Sequence, residues 1–499
     1  MASSVTARSS SGLTPHLIAT VAFICLGSLQ FGYHMAELNS PELIISCRRS
    51  VPGGIPFKQS WFGQHGFVKC IPLAPEQVGL VTSIFSIGGL IGSLYIGAVA
   101  DSIGRKKASL LHCVFFFFGS TINGLSNDYF ALLFGRFVCG LGAGAAIVIT
   151  SLLINEISPA NSKGLLGSMN QFSINIGILF TQLLSLKWST DNSWRLLLFM
   201  GSIISVVNFL FVILYVEESP VWLLHNGHST KAFTVLHRLR GGSYSDSTNE
   251  VNSWKHDATD GSDGLLNESV SEDGESSSNG GTPKSRAVTL REYLTSSEYN
   301  NSKIVATGIL IFQQFDGINS IIFYGVSVLI SIFPNHAIAI NCLISVVNVV
   351  VTFVSATIVD KLGRKPLLLI SVSFLGVSST LMGIGITYSN SLISIIGTFT
   401  YITFFAVGLG PIPFLIVGEV TQAKAKGSAQ SWGTTMNWLA TFIVGFAFPI
   451  LKNSWIGGGV YFIFTFMCFL SYLFVKYYIP ETKGLHSYEE VWSTENTDN

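Results

Sequence analysis

Side-chain amides stand out where this chain is otherwise apolar. Gln313, Gln314 and Asn319 sit in a single hydrophobic run, Gln313-Gln-Phe-Asp316-Gly317-Ile-Asn319. Gln313 and Asn319 are close to two helical turns apart and share a face, with Gln314 beside it. An amide offers both a donor and an acceptor, which is what a hydroxyl requires of its partner. An ion pathway would use carboxylates or rings of carbonyls instead. Gln171, Asn348 and Asn437 occupy other apolar runs and are expected to face the same cavity. The competing reading is hydrogen bonding between helices, which small amides also do well. It fits one amide more readily than the whole set. The set therefore points to a small neutral ligand of the monosaccharide or polyol kind.

Two further groups carry chemistry. Gly408-Leu-Gly410-Pro411-Ile-Pro413-Phe414 holds two prolines and two glycines in an apolar run, which breaks the helical ladder. Such breaks are tolerated at membrane depth where they line a cavity or a hinge. Phe405 and Phe414 offer ring faces to ligand C–H groups, although packing explains Phe405 equally well. His34 and Glu37 are three residues apart and meet on one helix face. Buried in a bundle they are a candidate proton relay; near a solvated mouth they are only a surface pair. Asp316-Gly317 would loosen its helix midway.

The elements that must position these residues follow from composition. The chain has 499 residues, 48% hydrophobic and only 11% charged, against about 25% charged in a soluble domain. Apolar stretches of roughly 20 residues recur along it. Eleven are clear, and a weaker twelfth, Leu165–Leu186, contains Asn170, Gln171, Asn175 and Gln182. The expected fold is an all-α membrane protein of twelve transmembrane helices in a lipid bilayer. Residues 1–16 form a tail, 17–216 a first bundle, 217–302 a polar connection, 303–478 a second bundle and 479–499 a second tail. Within the connection, 242–286 is too polar to bury a core and reads as disordered, while Val221–Arg240 and Leu290–Leu294 have helical spacing. Most Lys and Arg outside the spans fall on the side of both termini, which marks that side as cytoplasmic. Cys47 and Cys70 flank the first loop on the other side, where a disulfide is compatible with the compartment.

The two bundles repeat. Asp101-Ser-Ile-Gly104-Arg105 is matched by Asp360-Lys-Leu-Gly363-Arg364. Glu156 precedes Lys163 as Glu419 precedes Lys426, and Glu218 closes the first half as Glu481 closes the second, each offset by about 260 positions. Two six-helix halves related by duplication are a transporter architecture. The matched charges are expected to form a network that clamps the halves together on the cytoplasmic side and breaks in each cycle. The bland alternative is loop anchoring. No nucleophile–base pair, metal-ligand spacing or phosphate loop is present, so an enzyme, a metal site and a cofactor are not expected, and neither is a nucleic-acid partner.

These residues resemble the sugar porter branch of the major facilitator superfamily. The resemblance spans nearly the whole chain apart from the tails and the 242–286 insert. It rests on Gln30-Phe-Gly-Tyr33, Gly104-Arg105-Lys106, Gly135-Arg136, Asn155-Glu156-Ile-Ser-Pro159, Glu218-Ser-Pro220 and Leu239-Arg-Gly241. It continues through Gln313-Gln314, Gly317-Ile-Asn319, Gly363-Arg364-Lys365, Gly410-Pro-Ile-Pro413 and Pro480-Glu-Thr-Lys-Gly484. Details look more like facilitative hexose carriers than bacterial proton symporters, and the chain also looks like fungal vacuolar-type relatives. The resemblance implies a major facilitator fold with alternating access. It implies that Gln171, Gln313, Gln314, Asn319, Asn348 and Asn437 contact sugar hydroxyls and that Phe405 and Trp438 line the pocket. Departures are Phe414 for the usual Trp, Ala406 for an acidic residue, and Lys163, Lys365, Lys426 and Val221 where Arg is usual. His34 stands where proton symporters of the family have Asp and facilitative carriers Asn. A sensor or trafficking factor that kept the fold is the alternative, and the short tail after Tyr478 argues against a tail-signalling sensor.

Overall fold

The computed structural model describes residues 13–159, 162–241, 244–245, 247–248, 250–251, 288–422, 425–483 and 490–492, with side chains at all of these except 163–164 and 356–361. Most of the insert expected to be disordered lies outside the described residues. Among the described residues, eleven helices are long and apolar enough to cross a membrane. The twelfth is Lys163–Trp188, whose amides dilute its hydropathy. In chain order the spans are α1 Pro15–Ala36, α2 Pro75–Ile103, α3 Arg105–Leu125, α4 Tyr129–Ile157, α5 Lys163–Trp188 and α6 Trp194–Tyr215. The second half continues with α7a Asn300–Phe315 and α7b Ile318–Leu329, α8 Ala337–Leu362 and α9 Arg364–Thr387. It ends with α10a Ser391–Phe404 and α10b Ile412–Glu419, α11 Lys426–Lys452 and α12 Val460–Tyr478.

Lipid-facing surface accounts for the composition. Phe118, Phe130, Phe134, Phe353, Phe466 and Phe469 are each more than half exposed, which water would penalise and hydrocarbon does not. Inside the bundles, small residues let helices approach closely. A Cβ at Gly89 of α2 would lie 2.6 Å from the Trp438 ring of α11, so this contact between the halves depends on glycine.

The expected helices of the connection are present as Pro220–His225, Ser229–Arg240 and Leu290–Thr295. The first two lie against the first bundle: Trp222 Nε1 donates to Asp101 O at 2.9 Å, and Arg240 Nη1 to Ile157 O at 2.7 Å. They lie on the face where α1 begins and α12 ends, called here the terminal face. On the opposite face Cys47 and Cys70 form the disulfide that compartment logic allowed.

Two helices are broken at mid-depth. Gly317 adopts φ +107° between α7a and α7b, a left-handed conformation that disfavours any side chain. In the tenth span, Phe405–Leu409 forms a π-helical turn before Gly410-Pro411. Such turns leave backbone carbonyls in need of partners.

The hydrogen bonds that join the halves, among the described residues, lie on the disulfide face and at mid-depth. Asn39 beyond α1 donates to Ile321 O at 3.1 Å and Ile322 O at 2.8 Å, and its Oδ1 accepts from Val326 N at 2.8 Å. Arg49 reaches Pro334 O at 2.7 Å. Asn175 of α5 donates to Thr352 of α8 at 2.9 Å. The disulfide face is therefore shut, with Asn39 latching α7b.

Candidate functional site: two amide clusters and a buried triad

Four amides of the second half are brought together. Asn319 Nδ2 donates to Gln314 Oε1 at 2.6 Å, and Gln314 Nε2 to Gln313 Oε1 at 3.2 Å. Asn437 Nδ2 donates to the same Gln313 oxygen at 2.8 Å and to Leu310 O at 3.1 Å. Gln313 Nε2 donates to Leu409 O at 2.8 Å and Gly410 O at 3.2 Å. The glutamine thus meets carbonyls around the π-turn of the tenth span. Four amides from α7a, α7b and α11 form one chain that ends on a helix break. Asn319 Oδ1 is buried with no partner, an acceptor left over for a ligand.

The remaining amides form a second, looser cluster across the halves. Gln171 Nε2 and Asn348 Nδ2 each lie 3.5 Å from Asn175 Oδ1, the far edge of hydrogen bonding. Gln171 is exposed. No hydrogen bond among the described residues ties this cluster to the first, so the single cavity-facing set expected from sequence is two groups in this state.

The aromatics divide. Phe405 opens the π-turn, its ring 3.3 Å from where a Cβ at Gly410 would stand. Trp438 points to the first half, edge-on to Phe31 at 5.9 Å and Phe85 at 6.4 Å between ring centres. Phe414 is 37% exposed, and no hydrogen bond or ring pairing joins it to the amides.

His34 and Glu37 do meet, His34 Nδ1 to Glu37 Oε2 at 2.8 Å, and both are fully buried rather than solvated at a mouth. Their partner is Arg136 of α4. Its Nη1 bonds Glu37 Oε1 and the His34 carbonyl, each at 2.7 Å. The guanidinium also lies 4.6 Å over the Phe85 ring, and His34 Nε2 faces Ser120 Oγ at 3.3 Å. Cys139 Sγ lies within 4.8 Å of the His34 and Glu37 ligand atoms, but the Arg136 cation already occupies the carboxylate, so the group is an ion pair rather than a metal cradle. Sequence reading quoted Arg136 only as part of a motif. The available signal was a cation inside a span, which requires a nearby acid.

The terminal-face charges pair as the repeat implied but in a different place. Arg105 Nη2 bonds Glu156 at 2.9 Å and its Nη1 bonds Asp101 at 2.9 Å. Glu218 accepts from the backbone N–H of Arg105 at 2.7 Å and of Lys106 at 3.1 Å, capping α3. In the second half Arg364 Nη2 bonds Glu419 at 3.0 Å, and Glu481 accepts from Arg364 N at 3.0 Å and Lys365 N at 3.1 Å. Thr482 also donates to Glu419. Gly104 and Gly363 both have φ +97°, so the turn is repeated as well as the charges. Among the described residues every ion pair of this set stays within its own half, so in this state, with the disulfide face shut, the charges form two separate staples and no clamp joins the halves on the terminal face. A tight Gly turn fixes Arg beside its own bundle's acids before it reaches the other bundle. Lys426 is exposed and joins no ion pair among the described residues. The Lys163 and Asp360 side chains lie outside the described residues.

The comparisons agree with this architecture. A family model described as "Sugar (and other) transporter" matches residues 20–492. The chain is 45% identical over 483 residues to a probable metabolite transport protein of Saccharomyces cerevisiae, covering 96% of each. It is 38% identical to vacuolar protein sorting-associated protein 73 of the same yeast, covering 94% of this chain and 95% of that one. Facilitated glucose transporter member 1 of Gallus gallus is 29% identical, with 97% and 94% covered. The inward-open xylose transporter XylE of E. coli has the same fold, with TM-score 0.73, 22% identity, and 96% and 99% of the chains covered. The chain belongs to the sugar transporter family. It is a multi-pass membrane carrier of the major facilitator fold, not an enzyme.

Proposed function

We propose that this carrier moves a neutral monosaccharide or related polyol by alternating access, with the Asn319–Gln314–Gln313–Asn437 chain as its binding floor. The observation that carries the reading is that chain. Its amides hydrogen-bond one another in the absence of ligand, and each bond can be exchanged for one to a hydroxyl at little net cost. The names of the glucose- and xylose-carrying relatives support a sugar. Gln171, across the seam on α5, and Asn348, on α8 of the same half as the floor, would close on the ligand as a second group. Positive charge on the terminal face and the disulfide on the other support a cytoplasmic terminal face. Protons are a candidate second ligand at the His34–Glu37–Arg136 triad.

The test is uptake of labelled hexoses by purified protein in liposomes, with and without an inward proton gradient. Saturable uptake whose half-saturation Gln313→Ala and Asn319→Ala raise about tenfold or more supports the reading. Intact protein that moves no hexose under either condition refutes hexose transport. It would favour the sorting or sensing role suggested by the name of the 38% identical relative.

A further inference from the structure

The first-half acid Glu37 has a cation; the second half contains an acid that has none. Asp316 is fully buried at the break between α7a and α7b. Neither of its carboxylate oxygens has a hydrogen-bond partner. The Ser471 hydroxyl and the Cys468 thiol, both on α12, lie beside the carboxylate without reaching good geometry. Tyr401 of α10a donates to its backbone carbonyl at 2.9 Å, and Tyr461 of α12 lies beside Tyr401. No lysine, arginine or histidine among the described residues forms an ion pair with it. Nearby Ser320, Tyr461 and Ser471 hydroxyls are likewise buried without partners. The result is a buried cluster of poorly satisfied polar groups, not a structural network.

An ionised carboxylate so placed is costly enough that the group neutralises instead. A proton suits this cluster better than a metal ion. Hard cations take several oxygen ligands, whereas here the backbone carbonyl is already engaged by Tyr401 and one neighbour is a thiol. We propose that Asp316 binds a proton whose loss is linked to movement of α7b, making it a coupling site in the second half. The linkage is geometric. The next residue, Gly317, is the pivot, and α7b beyond it is the element that Asn39 latches to the first half. Water reaches an ionised Asp316 only if the pivot draws away from α12. The proton therefore favours the latched state, and its loss favours the return to an open disulfide face. By reciprocity the latched state holds the proton more tightly.

The proposal rests on the carrier reading, so its test includes one readout that needs no transport. Infrared spectra of wild type at neutral pH are expected to show a protonated-carboxyl C=O band that disappears in Asp316→Asn and persists in Glu37→Gln. In liposomes, Asp316→Asn is expected to retain exchange of labelled hexose across the membrane while losing all stimulation by an inward proton gradient; Asp316→Ser serves if the first variant is unstable. Absence of the band, or gradient stimulation surviving in both variants, overturns the proposal. Stimulation by a sodium gradient that Asp316→Asn removes would also overturn it and assign the site to sodium. Loss of exchange in wild type with the band present would refute the hexose reading and leave the proton site standing.

Discussion

The two halves share a fold and a set of charged turns, yet treat buried polarity in opposite ways. In the first half, His34, Glu37 and Arg136 are locked together by bonds of 2.7–2.8 Å, with an aromatic ring over the cation. In the second half, four neutral amides exchange hydrogen bonds along a broken helix, and a lone carboxyl waits behind the break. The difference teaches a division of labour. Charge paired with charge at full burial is rigid, because separating it exposes an uncompensated ion. Amide paired with amide is exchangeable, because a ligand hydroxyl can replace either partner. The first half is built to stay as it is and the second to re-pair.

The largest effect should come from breaking the rigid side. Arg136→Leu leaves Glu37 buried without its cation and should cost about 3–5 kcal/mol of stability, read by thermal unfolding in detergent. Adding Glu37→Leu should recover most of that loss. An Arg136→Leu protein as stable as wild type would remove the contrast between the halves. On the exchangeable side, Gln313→Ala and Asn437→Ala should fold normally and weaken sugar binding by about 1–3 kcal/mol each, roughly tenfold or more in half-saturation for exchange. Gln171→Ala should do less, since its contact is at 3.5 Å. If it does more, the looser cluster is the real floor.

Between the halves, Asn39→Ala removes three hydrogen bonds to α7b and should shift the population toward an open disulfide face by about 1–2 kcal/mol. A spin-label distance across that face should lengthen; no change would show that the α2–α11 contact holds it shut alone. The smallest effect concerns Glu42, just beyond α1. Burial raises its carboxyl above the ordinary 4.5, against the pull of Lys452 and Arg48. An acid raised in the closed state binds its proton more tightly there. The closed face should gain full support below pH 4.5 and lose it as pH rises through the raised value. The same spin-label distance should follow pH in wild type and flatten in Glu42→Gln.

Much of this was legible in the sequence. Span count and repeat follow from hydropathy and landmark spacing, because lipid imposes a length on every helix. The compartment allowed the disulfide, and the structure forms it. Partners in space were less readable. Glu156, Glu218, Glu419 and Glu481 were all legible as acids available to the two arginines, but spacing does not say which is taken or whether an arginine turns to its own bundle or the other. Asn175 and Arg136 lay in stretches already singled out and Asn39 two residues beyond Glu37, and only tertiary packing shows that Asn39 latches, Asn175 bridges and Arg136 neutralises. Asp316 was read as a helix-loosening residue. Its lack of any counter-ion is a property of α10 and α12, far along the chain.

The disulfide has a consequence in time. Both of its cysteines precede α2, whereas α7b begins at Ile318, about 250 residues after Cys70. At about 5–20 residues per second of synthesis, that is a head start of roughly 12–50 s. On the orientation proposed above, the first loop emerges into an oxidising compartment and is stapled before its neighbours in the second half exist. Arg49 waits for Pro334, and the Glu42–Ile45 turn for α7b. The seat is finished before the part that swings against it is made. A Cys70→Ser chain would therefore show its defect first in the yield of newly made protein, before any change in the turnover of the molecules that mature.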